Sequence, residues 1–145
     1  MPTTRRSRTV AAVPEQVWET VSDPYHLPRW WPRVERVEGV TDEQFTEVLS
    51  TDHGRSVRAD FRIVESLAPE RRVWEQEVAG SPFGRIMFSA RTEVVLAPHQ
   101  GGTRVTLVLR QEMRGTARFA GWVVRRGTRK VLDDALRALE AMYGA

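Results

Sequence analysis

The segment Gly101-Gly102-Thr103-Arg104-Val105-Thr106-Leu107-Val108-Leu109-Arg110-Gln111-Glu112-Met113, with the helical pattern that follows it, decides the fold. Through Met113 the chain alternates. Val105, Leu107, Leu109, Gln111 and Met113 point one way, and Arg104, Thr106, Arg110 and Glu112 point the other. That period of two marks an extended strand with one face buried. Beyond it the period becomes 3.6. Ala117, Val124, Thr128, Val131, Ala135, Leu139 and Met142 share one stripe, with Leu132 beside them, which predicts an amphipathic helix over about 116–143. Small residues fill the first half of the stripe and large ones the second. The helix should therefore pack tightly at its C-terminal end and stand off near its start, leaving room for a pocket.

Upstream, a period of two runs from Arg33 onward. It predicts strands at about 33–41, 44–51, 56–66, 71–79, 84–97 and 103–114. Turn signals at Asp52-His53-Gly54, Ala68-Pro69-Glu70 and Gln100-Gly101-Gly102 separate them, and such short connections require antiparallel neighbours. Ile86, Phe88, Ala90, Thr92, Val94 and Leu96 share one face, as do Val57, Ala59, Phe61 and Ile63, and Trp74, Gln76 and Val78. Arg5 to Ala12 reads as a further strand. Pro14 and Glu15 then open a short helix with Val17, Trp18 and Val21 on its apolar side. Asp23-Pro24 opens a second, which Trp30-Trp31-Pro32 ends. The result is an α+β fold in one domain over 1–145. A curved, seven-stranded antiparallel sheet carries two short helices, and the long C-terminal helix covers its apolar face.

Composition narrows the function. The chain has 145 residues, 41% hydrophobic and 28% charged, which suits one globular core. It has no cysteine, so thiol nucleophiles and thiolate metal sites are excluded. No secretory pattern opens it and no apolar run reaches the ~20 residues of a membrane span, so a cytoplasmic location is expected. Lys130 is the only lysine, and the other 21 basic residues are arginines. They are scattered over nearly every element rather than gathered on one face, so no nucleic-acid partner is expected.

Three stretches resemble a known family. Val13-Pro14-Glu15-Gln16-Val17-Trp18 resembles the "APxxVW" opening of a first helix, with Val13 in place of the usual alanine. Ser22-Asp23-Pro24 followed by Leu27-Pro28-Arg29-Trp30 resembles "sDp..lp.W", and Gly101-Gly102-Thr103-Arg104-Val105-Thr106 resembles the "gGTrVt" hairpin. Together with the order of elements, they resemble the Bet v 1-like, START-related (SRPBCC) superfamily, and within it the bacterial polyketide cyclase/dehydrase-like branch. The resemblance implies a helix-grip fold whose cavity holds a small hydrophobic ligand. It also implies that Trp30 lies at the cavity mouth. Fold similarity by itself licenses no reaction.

His26, His53 and His99 lie near predicted turns without metal-ligand spacing, and no phosphate-binding, zinc-protease or serine-hydrolase motif is present. No metal and no cofactor is therefore expected. The inward polar residues are Gln76, Thr92 and Gln111, none of which titrates near neutral pH, so no catalytic residue is assigned. By strand phase the cavity is lined by Phe61, Trp74, Gln76, Phe88, Thr92, Leu107, Leu109 and Gln111, with Trp30 at one end. Phe119, Trp122 and Val123 fall opposite the apolar stripe, on the side of Arg126, Arg129 and Arg137. Phe119 and Trp122 are expected to turn inward as a gate over the pocket. The alternative places them on the surface as a dimer contact or a membrane-surface anchor. The leading expectation is binding of a small hydrophobic, aromatic or polyketide-like ligand by a monomer or homodimer. An aromatase/cyclase-type enzyme is the second expectation, and a lipid or membrane-surface binding protein is the third.

Overall fold

A computed structural model describes residues 3–51, 53–119 and 121–144, with the side chains of Thr116 and Ala117 left aside. Asp52 of the predicted turn and the Ala117 side chain of the predicted stripe thus lie outside the described residues. The strands are β1 (Thr3–Val10), β2 (Val34–Glu38), β3 (Gln44–Ser50), β4 (Ser56–Leu67), β5 (Arg71–Gln76), β6 (Met87–His99) and β7 (Gly102–Met113). The helices are α1 (Pro14–Val21), α2 (Leu27–Trp30) and α3 (Gly121–Met142), with short 3-10 turns at Pro24–His26, Pro82–Arg85 and Gly115–Phe119. One antiparallel sheet runs β1-β7-β6-β5-β4-β3-β2, so the first and last strands of the chain pair.

Local chemistry explains the three recognisable stretches. Pro14 opens α1 and Pro24 follows Asp23, whose side chain accepts the Tyr25 N–H at 3.0 Å. That cap and the two prolines turn the chain sharply between β1 and β2. At the β6–β7 hairpin, Gly101 has φ +81, a conformation that side chains other than glycine resist. A Cβ on Gly102 would stand 2.2 Å from the Val10 carbonyl oxygen, so β1 and β7 can close only around a glycine. Thr103, fully buried, donates its hydroxyl to the Ala12 carbonyl at 2.7 Å and ties β7 to the chain leaving β1.

The main core joins the inner faces of β1, β6 and β7 to α1, α2 and α3 through Val10, Val17, Leu27, Trp30, Val94, Leu107, Leu132, Leu136 and Leu139. Along α3 the buried residues are Thr128, Leu132, Ala135, Leu136 and Leu139. The buried stripe thus ends at Leu139. Met142 is exposed, and Tyr143 closes that end by bonding Thr20 Oγ1 and reaching the Gln16 carbonyl at 3.3 Å. α3 is also shorter at its start than its periodicity predicts, because the chain forms a 3-10 turn before Gly121. On the outer face of the sheet, arginines meet glutamates across strands: Arg58 with Glu38 at 2.7 Å, Arg91 with Glu75 at 3.2 Å, and Arg71 and Arg110 with the buried Glu93. Paired in this way, the scattered arginines lie on the outer face of the sheet, where Val48, Val73 and Val108 are also buried.

Candidate functional site

Between the concave face of the sheet and the first half of α3 lies a cavity of about 590 Å³. Its walls come from β3 (Glu47, Leu49), β4 (Val57, Ala59, Phe61), β5 (Trp74, Gln76), β6 (Met87, Ala90, Thr92), β7 (Leu109, Gln111) and Val131 of α3. Trp31 to Arg33 and Pro82, Phe83 and Ile86 complete the lining. The size falls in the range of small-molecule sites, and the wall is mostly apolar with a few polar atoms. The aromatic side is rigid. Phe45 stacks on Phe61 with centroids 5.2 Å apart, and Trp74 meets both Phe45 and Trp31 edge to face at 6.1 Å.

Six of the residues expected from strand phase line this space: Phe61, Trp74, Gln76, Thr92, Leu109 and Gln111. Phe88 does not. A register shift between Met87 and Ser89 adds a residue to β6, puts Met87 inside, and leaves Phe88 57% exposed under the Arg114 guanidinium. One extra residue in a strand exchanges its faces. Leu107 is fully buried in the main core against α3 and is not part of the cavity wall. Trp30 is likewise core, 2% exposed, because it ends α2 on the side facing Leu27 and α3. The following residue, Trp31, has extended backbone and lines the cavity, its ring 5.3 Å from that of Trp30.

The inward gate is also not formed. Phe119 and Trp122 are 74% and 66% exposed, and Val123 is exposed beside them. α3 begins at Gly121 and keeps Trp122 and Val123 in helical register on the side opposite its buried stripe. Phe119 ends the 3-10 turn before it, and Arg118 stacks on the Phe119 ring. Trp122→Ser is therefore expected to shift the chemical denaturation free energy by no more than about 0.5 kcal/mol and to leave ligand affinity unchanged. Weakened binding by this variant would bring Trp122 back to the cavity.

The structure adds one residue that strand phase alone did not single out, Glu47. It sits on the inward face of β3 between Phe45 and Leu49, opposite Val37 of β2 and Ala59 of β4. It is 3% exposed, and among the described residues no hydrogen bond or ion pair reaches its carboxyl. Burial pushes its pKa up from 4.5 to about 8, since nothing nearby stabilises the anion. The Gln76 Nε2, also buried, has no hydrogen-bond partner among the described residues either. Gln111, by contrast, is anchored, its Oε1 accepting the Thr128 hydroxyl of α3 at 3.1 Å. The cavity thus offers two uncommitted polar side chains on an apolar, aromatic wall.

Other features lack this character. A groove of about 740 Å³ on the outer side of α3 is larger, but Arg6, Arg126, Arg129, Lys130, Asp133, Asp134 and Arg137 line it in the open. Among the described residues no cluster of three or more His, Asp or Glu could hold a metal ion. Among them, too, no helix is long and apolar enough to cross a membrane.

A seven-stranded sheet curled around one long helix, with an apolar cavity between them, defines the helix-grip fold of the START-related superfamily. The chain belongs to the family described as polyketide cyclase / dehydrase and lipid transport, which its sequence matches over residues 1–143. Solved structures agree on the fold. A START superfamily protein from Mycobacterium smegmatis has a TM-score of 0.81 at 15% identity, covering 99% of this chain and 97% of that one. A protein from Thermus thermophilus has a TM-score of 0.76 at 22% identity, covering 97% and 95%. The di-domain ARO/CYC StfQ of the steffimycin biosynthetic pathway has a TM-score of 0.78 at 16% identity. Here 97% of this chain is covered, but it spans only half the length of that di-domain protein. No curated protein matches the chain.

Proposed function

We propose that this protein binds a small, largely apolar ligand with an aromatic or polyketide-like ring system in the cavity between sheet and α3. The observation that carries this reading is the cavity itself. Phe61, Trp74 and Trp31 form an apolar, aromatic wall, Gln76 Nε2 is buried there without a partner among the described residues, and Glu47 presents its carboxyl to the same space. Buried polar groups without partners are costly, and a ligand oxygen that accepts from them recovers part of that cost. Because Glu47 holds its proton at neutral pH, it serves as a donor, as does the Gln76 amide. A neutral molecule carrying carbonyl or hydroxyl groups fits best.

2-Naphthol supplies a test, because Trp31 and Trp74 report on the cavity by fluorescence. Saturable quenching at one ligand per chain is expected, and Ala59→Phe, which fills the space beside Glu47, should abolish it. Quenching that stays linear in ligand concentration, as in random collisions, would overturn the reading. A cyclase-type activity is the second reading, and Glu47 favours it, because the cavity then contains a titratable group of the kind acid–base chemistry needs.

A further inference from the structure

We infer that Glu47 is the acid–base group of this cavity and moves a proton at the carbon next to a ligand carbonyl whose oxygen is held by Gln76. The inference rests on the ligand reading above and adds to it a reaction and a reacting pair.

The placement comes from the sheet. Glu47 on β3 and Gln76 on β5 flank β4, with Ala59 opposite Glu47 and Phe61 opposite Gln76. Ala59 leaves open the space in front of the carboxyl, and the Phe61 ring floors the gap between the two polar groups. The two residues stand two strands apart and two positions apart along β4. At about 4.8 Å per strand and about 3.4 Å per residue their backbones are roughly 12 Å apart, and the two side chains reach toward each other over a space that takes a small ring system. A flat ketone lying on Phe61 would present its carbonyl to Gln76 and an adjacent carbon to Glu47. Both side chains are free to act, since among the described residues neither the Glu47 carboxyl nor the Gln76 Nε2 has a partner. Residues that face Glu47 from the neighbouring strands, Val37 and Ala59, carry no charge. Arg33, which lines the cavity from an exposed position, is the other ionisable residue of the described lining.

The step balances without any co-reactant. Ionised Glu47 takes the proton from the α-carbon, and the C–H electron pair becomes the carbon–carbon double bond of an enolate. The carbonyl π pair moves onto oxygen, which accepts the hydrogen bond from Gln76 Nε2. Glu47 then returns a proton to carbon, at the same position or at a conjugated one, and the ketone is restored. Nothing is oxidised or reduced. Desolvation suits the carboxyl to this task, because a carboxylate whose pKa is raised toward the working pH is a stronger base than one in water. About a tenth of it is ionised at pH 7.

The test uses 2-tetralone, a bicyclic ketone with acidic α-protons, in deuterated buffer. Loss of its α-proton NMR signals measures exchange, and tryptophan quenching measures binding in the same samples. Exchange about 100-fold or more above buffer is expected, the gain typical of one positioned base. It should rise tenfold per pH unit and level off near pH 8. Glu47→Gln should bind 2-tetralone and return exchange to the buffer rate, and Glu47→Asp should keep part of it. Gln76→Leu should slow exchange about tenfold or more while binding persists. Saturable binding with buffer-rate exchange, or equal exchange in wild type and Glu47→Gln, would overturn the proton-transfer role and leave the ligand reading standing. Absence of saturable binding would overturn both.

Discussion

Glu47→Gln is expected to stabilise the protein by about 3–5 kcal/mol at pH 9 while changing its stability little at pH 4.5. The direction follows from proton linkage. Burial raises the carboxyl's pKa in the folded protein to about 8, against 4.5 in the unfolded chain. Below 4.5 both states keep the proton, and the folded state bears no penalty. Between 4.5 and 8 the unfolded chain releases the proton and the folded chain holds it, so stability falls as pH rises. Each pH unit in that window costs about 1.4 kcal/mol, and the loss levels off above the folded pKa. Glutamine has nearly the same shape and no proton to lose, so the variant lacks this slope. Urea denaturation of both proteins from pH 4.5 to 9 measures the difference directly, since the other titrating groups are common to both. Parallel curves would mean that the Glu47 carboxyl is solvated, and would remove the basis for its chemistry.

Leu139→Ala is expected to lower the unfolding free energy by about 2–5 kcal/mol, the cost of truncating a fully buried leucine. Leu139 has no exposed surface and packs in the cluster that joins α3 to α1, β1 and the β6–β7 pair. It lies in the half of the helix that is closed against the sheet, away from the cavity at the other end. Its loss should therefore appear in stability and not in ligand affinity. Met142→Ala, one turn further on and exposed, is expected to stay within about 0.5 kcal/mol of wild type. A denaturation midpoint for Leu139→Ala equal to wild type would place the contact between helix and sheet elsewhere on α3.

The architecture was legible because its two periods are clean. β4 alternates from Ser56 to Ile63, and β7 places Val105, Leu107 and Leu109 on one face although Val108 is buried on the other. The buried run from Thr128 to Leu139 keeps helical spacing, so faces and lid follow from the residues. The departures have local causes. Nothing in Met87-Phe88-Ser89 announces an extra residue, and that residue moved Phe88 to the outside. Trp30 and Trp31 are equivalent in composition. Only the change from helical to extended backbone between them sends one to the core and the other to the cavity. At the start of α3, an inward Phe119 and Trp122 depended on the chain leaving helical register, but Trp122 and Val123 lie within α3 and keep the outward phase of their helix, opposite the buried stripe.

Glu47 was within reach but hidden by its strand. Phe45-Thr46-Glu47-Val48-Leu49 has apolar residues on both faces and no clear phase of its own, and Val48 is itself fully buried on the other side. The hairpin supplies the missing constraint. Ser50 pairs with Ser56, which sets Glu47 opposite Ala59, and Ala59 belongs to the strand whose inward face is unambiguous. Register carried across a short turn locates a buried carboxyl that alternation within one strand cannot.

The ligand is expected to sit on the concave face of the sheet, in contact with both Glu47 and Gln76. Amide and side-chain NMR shifts of the isotope-labelled protein, followed during titration with 2-naphthol, test this most directly. Saturating shifts are expected at Ala59, Thr92, the Gln76 and Gln111 side-chain amides and the Trp31 and Trp74 indoles, with Phe119 and Trp122 unaffected. Shifts confined to Phe119, Trp122 and Val123 at the exposed start of α3, or no saturating shifts at all, would contradict it.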